Sequence, residues 1–116
     1  MTKSSLFLGA ALSLAGLGSL LAACDAGTGV AASEIDCSTA DIPTYSELGT
    51  TLSYCTSCHG ASRSEGGVRY DTYAAAVSAA DAGVRSIEDG SMPEDGSMPD
   101  AAAEEFVTWA TCGTPE

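Results

Sequence analysis

A small all-α domain is the fold class this sequence predicts, and three observations predict it. Apolar residues recur at three- and four-residue spacing behind capping residues, as helices that bury one face require. Large apolar residues are scarce: from Cys24 to Glu116, Leu, Ile, Val and Phe number 11 of 93 residues. That is below the ~20% at which a strongly charged chain is expected to stay disordered, so the core needs something besides side chains. The third observation is the pentapeptide Cys55-Thr56-Ser57-Cys58-His59, which closes the first helical face.

That pentapeptide reads as a covalent attachment site for one haem c. Two cysteines three residues apart reach the two vinyl groups of one porphyrin edge and form thioethers. The histidine that follows is then held against the iron as its proximal ligand. His59 is the only histidine of the chain, so no other imidazole competes. Two alternatives stand beside this reading. A bare C-x-x-C can be a thiol–disulfide redox pair, although no strand–helix setting precedes Cys55. A Cys3His zinc site is open if Cys37 or Cys112 supplies the third thiolate. A haem would give the apolar-poor chain a rigid plate to fold around, so composition and motif agree.

The N-terminus reads as a leader. Lys3 precedes an apolar, small-residue run from Leu6 to Leu20, and the stretch ends in Leu21-Ala22-Ala23-Cys24. A charged start, a short apolar run and a small-residue cleavage site make a secretory signal over residues 1–23. Leu21-Ala22-Ala23-Cys24 resembles a bacterial lipobox, which implies cleavage before Cys24 and acylation of that residue. An uncleaved anchor is the alternative. Each buried acyl methylene contributes about 0.8 kcal/mol, so several chains on Cys24 would hold the protein at a membrane. The expected location is the cell envelope, facing the periplasm, with inner or outer membrane left open.

Residues 24–36 read as a flexible tether, Asp25 to Ser33 spanning about 15–18 Å as a coil, and residues 37–116 as the folded domain. Thr44-Tyr45-Ser46-Glu47 matches a capping box, so the first helix is expected from there, with Tyr45, Leu48, Leu52 and Cys55 on one face. A loop follows from Gly60 to Gly67. Asp71 or Thr72 then caps a second helix through about Ala80, burying Tyr73, Ala76 and Val77. Val84 to Asp89 adds a turn or two. Asp100 caps a last helix from Ala101 to Cys112, burying Ala102, Phe106, Trp109 and Ala110, with Gly113 as its stop and Glu104 and Glu105 in solvent.

Between the last two helices runs Gly90-Ser91-Met92-Pro93-Glu94-Asp95-Gly96-Ser97-Met98-Pro99-Asp100, a short tandem repeat. Met-Pro steps favour extended loop over helix. A thioether in the sixth iron position raises the reduction potential and suits electron transfer. Met92 is the expected ligand and Met98 the runner-up. Met98 lies two residues before the expected cap, where a side chain packs as a hydrophobic staple, whereas Met92 has slack to wrap the distal face.

The order of capped helix, C-x-x-C-H, Met-Pro loop and tryptophan-bearing last helix resembles the small class I cytochrome c fold. More closely, Cys58-His59-Gly60, Gly66-Gly67-Val68-Arg69-Tyr70-Asp71 and Gly90-Ser91-Met92-Pro93 resemble cytochrome c modules common in planctomycetes and myxobacteria. The resemblance covers about residues 41–115 and implies three to four short helices around one covalent haem with His59 and Met92 as axial ligands. Glu94 stands where such modules usually carry a second proline. No proline follows Gly60 to orient the proximal histidine, which leaves a carbonyl near Gly66 or Gly67 for that role. With Cys24, Cys55 and Cys58 assigned, Cys37 and Cys112 are expected to form a disulfide in an oxidising periplasm, two free thiols being the alternative. In the class I fold, the first and last helices that they flank pack together.

The expected function is a membrane-tethered electron carrier. Nothing in the chain looks like a catalytic acid, base or nucleophile beside an open iron position, so no enzymatic role is expected. Three arginines, Arg63, Arg69 and Arg85, face 16 carboxylates after the leader is removed, a formal charge of −13. Such a surface steers toward a basic redox partner, or serves only solubility, and it disfavours nucleic acid. Arg69 or Arg85 is a candidate partner for a haem propionate. A haem-based sensor or ligand-binding lipoprotein with a labile sixth ligand is the alternative function.

Overall fold

The computed structural model describes residues 30–116. The signal read over residues 1–23 and the lipidated Cys24 lie outside the described residues. Three α-helices carry the domain: α1 (Gly49–Thr56), α2 (Tyr73–Glu88) and α3 (Asp100–Thr111), with short 3-10 turns at Ala32–Glu34 and Glu65–Gly67. No described residue belongs to a β-strand. The all-α architecture is therefore as the sequence predicts, and no described helix is long and apolar enough to cross a membrane.

The capping box marks the way into α1 but not its first residue. The Glu47 carboxylate accepts from the Thr44 N–H at 2.8 Å, one half of the motif. The Glu47 N–H, however, donates to the Thr44 carbonyl rather than to its hydroxyl. Residues 45–48 thus form a tight turn, and the α-helix starts at Gly49. Leu48 and Leu52 are buried, while Tyr45 and Cys55 pack half-buried against them, so the expected apolar face holds.

The second helix is one continuous element of 16 residues where the sequence suggested two pieces. Thr72 caps it, its hydroxyl accepting from the Ala75 N–H at 3.3 Å. Asp71 instead pairs with Arg69. Gly83, inside the helix, serves close packing: a Cβ there would lie 2.6 Å from the Tyr70 hydroxyl and 2.8 Å from the Phe106 ring. The buried face runs Ala76, Ala79, Ala80, Gly83, Val84, Ile87, the spacing of an amphipathic helix. Val77, expected inside, falls off that stripe and is 38% exposed.

Asp100 is the first residue of α3 and makes no capping bond; Pro99 holds the cap position. The Pro99 carbonyl accepts from the N–H groups of Ala102 and Ala103, both at 3.0 Å. As a first-turn acid Asp100 still complements the helix dipole. Helix α3 packs on both α1 and α2, which widens its buried face to Ala103, Phe106, Val107, Thr108 and Trp109. Ala102 and Ala110 are only half-buried. Glu105 is not simply solvated: its carboxylate accepts from the buried Thr51 hydroxyl of α1, tying the two helices.

Two devices close the ends of the chain onto this core. Cys37 and Cys112 form a disulfide, with Cα atoms 5.4 Å apart. The tail is pinned by aromatic residues: the Trp109 indole N–H donates to the Pro115 carbonyl at 2.9 Å and the Tyr73 hydroxyl to the Thr114 carbonyl at 2.8 Å. The segment read as tether ends earlier than residue 36. Val30, Ala32 and Ile35 pack against the core, and the Ala32 N–H donates to the Glu88 carboxylate at 2.7 Å. Apolar side chains at these three positions give the segment something to bury, which the small residues before them lack.

Candidate functional site

Cys55 sits in the last turn of α1, and the chain leaves the helix in a way that keeps the rest of the motif close. The N–H groups of Cys58 and His59 both donate to the Cys55 carbonyl, at 3.2 and 2.9 Å. Cys55 and Cys58 are free thiols. Burial pushes the Cys55 thiol up to about 11, so it stays protonated at neutral pH.

His59 is fixed by the loop that follows it. A single β-bridge pairs His59 with Ser64, and the Glu65 N–H donates to the Cys58 carbonyl at 3.1 Å. This folds the Glu65 carbonyl onto the imidazole, with Nδ1 at 3.0 Å. A carbonyl can only accept, so Nδ1 carries the proton and Nε2 is left with its lone pair, the arrangement typical of a metal-ligating histidine. The carbonyl expected near Gly66 or Gly67 is thus that of Glu65. On the other side the Tyr70 N–H donates to the His59 carbonyl at 2.8 Å. The Tyr70 ring stands edge-on to the imidazole, with centroids 6.0 Å apart.

Tyr70 extends this support into the core. Its ring meets Phe106 edge-on at 5.7 Å, and Phe106 meets Trp109 at 5.8 Å. Burial, then the neighbouring Cys55, raises the Tyr70 hydroxyl to about 12. Sequence reasoning gave Tyr70 no role, because it lies in a loop where no helical period applies. Nor did it assign Glu65, whose contribution is a backbone carbonyl that any residue carries.

Cys55, Cys58, His59, Met92 and Met98 all line one cavity of about 570 Å3, walled elsewhere by apolar groups such as Val68, Ile87 and Phe106. The volume lies within the ~300–1,000 Å3 usual for cofactor pockets. The donor set suits a haem: two unpaired thiols at thioether spacing, one imidazole with an orienting carbonyl, and thioethers from a separate loop. The Cys3His zinc alternative falls, because Cys37 and Cys112 are bonded to each other. Charge at the cavity is acidic, from Glu65, Glu94 and Asp95; neither Arg69 nor Arg85 lines it. Arg69 is held by Asp71, with contacts of 2.8 and 2.5 Å.

No curated protein and no solved structure matches the chain. Residues 55–104 match the family model described as planctomycete cytochrome C, and this stretch holds both thiols, the histidine and both methionines. That stretch is therefore similar to a cytochrome c module, as the resemblance of its motifs implied.

Proposed function

We propose that this protein is a one-haem electron carrier, tethered to a membrane through Cys24 and facing the periplasm, and that it is not an enzyme. The observation that carries the reading is the shared cavity, where the thiols of Cys55 and Cys58, the oriented imidazole of His59 and the Met92 thioether meet. A haem bound there supplies one-electron exchange between ferric and ferrous iron. The chain's own residues do the rest. Cys55 and Cys58 fix the group as thioethers, and His59 presents Nε2 while the Glu65 carbonyl holds its other nitrogen. Met92, which lines the cavity, would supply a thioether to the iron, a ligand type that favours electron transfer over ligand binding. Tyr70, Phe106 and Ile87 keep water from the inner wall.

Glu65, Glu94 and Asp95 border the same cavity, and the whole chain has a formal charge of −12. These charges support docking to a basic redox partner, with association that slows as salt rises. The test is to express the chain with haem-maturation machinery and record ferric and ferrous spectra. Low-spin spectra with a Met–iron charge-transfer band are expected. Ready binding of carbon monoxide by the ferrous form would overturn the carrier in favour of a sensor or ligand-binding lipoprotein.

A further inference from the structure

The loop between α2 and α3 is a sequence repeat that folds twice into the same turn. Asp89-Gly90-Ser91-Met92-Pro93 is followed, after Glu94, by Asp95-Gly96-Ser97-Met98-Pro99. In the first copy the Asp89 carboxylate accepts from the Ser91 N–H at 2.9 Å, and Gly90 has φ +74°. In the second the Asp95 carboxylate accepts from the Ser97 N–H at 3.0 Å, and Gly96 has φ +66°. Each turn is an Asx-type turn with a glycine in the left-handed region, where other residues are strained. Each then delivers a methionine, and both methionines line the cavity that holds Cys55, Cys58 and His59.

The copies differ in what anchors them. Met92 is 36% exposed, and its N–H donates to the Ser86 carbonyl at 3.0 Å. Met98 is 6% exposed and packs in the core, next to the Pro99 carbonyl that starts α3. We propose that Met98 is a reserve thioether ligand, which takes the sixth iron position when Met92 is removed or displaced. The inference rests on Met92 being the resident ligand.

Chemistry and placement both allow the exchange. A methionine side chain is unbranched, with three rotatable bonds and a polarizable sulfur, so it re-aims with little backbone movement. Glu94, which joins the copies, and residues 95–97 of the second copy are all exposed, so the second turn can shift without displacing a core side chain other than Met98 itself. Ligation by Met98 gives up its packing beneath α3. That loss keeps Met92 in place while it is present, since the state with the lower free energy dominates the population.

Three haem-loaded variants test this by their ferric spectra: Met92→Ala, Met98→Leu, and the two combined. Leucine keeps the apolar volume at position 98, so the fold survives, and far-UV circular dichroism checks that it does. Met98→Leu is expected to keep the full Met–iron charge-transfer band, and Met92→Ala a weaker but measurable one. The combined variant is expected to lose it. If Met92→Ala loses the band as completely as the combined variant, Met98 is no ligand and the proposal fails while Met92 stands. If Met98→Leu alone abolishes the band, the assignment of Met92 fails instead, and the reserve role with it.

Discussion

Gly83→Ala sets two physical effects against each other and shows which one built the wall of the cavity. In an exposed helix interior, replacing glycine by alanine stabilises by about 1 kcal/mol through backbone entropy. Here the added methyl would lie 2.6 Å from the Tyr70 hydroxyl and 2.8 and 2.9 Å from two atoms of the Phe106 ring. Neither ring can give way easily, because Tyr70 is 5% and Phe106 1% exposed and each packs against another aromatic ring, Tyr70 edge-on to His59 and Phe106 tilted on Trp109. Overpacking of this kind costs about 1–3 kcal/mol. The overlap is severe enough to place Gly83 at the upper end, so after the propensity gain a net loss of about 1–2 kcal/mol is expected. Urea unfolding of the haem-loaded protein measures it, as a lower midpoint with unchanged slope. A variant as stable as the parent, or more so, would refute the close approach of α2 to Tyr70 and Phe106.

Three further perturbations follow from the same contacts. Replacing Cys37 and Cys112 by serine opens a closure of 75 residues, which costs about 4.5 kcal/mol in the chain-entropy model; thiol titration of the denatured, haem-loaded parent should find no free cysteine among these two. Thr72→Ala removes the hydroxyl that caps α2 and should cost about 0.5–2 kcal/mol in the same unfolding assay, whereas Thr72→Asp should cost little. Asp36 and Asp95 should titrate below the ordinary Asp value by NMR, because the side chain and N–H of Ser38 and of Ser97 donate to their carboxylates. The sign follows: a lowered folded pKa gives stability that is present above the unfolded value of about 3.9 and is lost as pH falls through the folded pKa. Ordinary titration of both would remove these turns from the account.

The parts of the fold legible in the sequence were those written in side-chain chemistry. The C-x-x-C-H string, the Met-Pro repeat and the spacing of Leu48, Leu52 and Cys55 each bring a residue type to a place where only that type works. The limits of the helices were less legible, because they depend on competition among backbone bonds. Thr44 and Glu47 form half a capping box, yet tighter turn bonds delay α1 to Gly49. Gly83 illustrates the same limit from the other side: a residue that weakens a helix locally is retained where Tyr70 and Phe106 leave no room for a methyl. Three-dimensional partners decided the remainder. Thr51 draws Glu105 out of solvent, and Asp71 takes Arg69. The carbonyl that orients His59 comes from Glu65 because a β-bridge to Ser64 folds the loop back, and no residue type announces that.

The central claim is that Cys55 and Cys58 hold one haem in the cavity between α1 and the Met loop. The most direct measurement is the intact mass of the matured protein after denaturation and acid extraction, which removes any group bound only through iron. The account predicts the chain plus the mass of a single haem, with Cys55 and Cys58 no longer reactive to thiol reagents. A bare chain with both thiols free would contradict it.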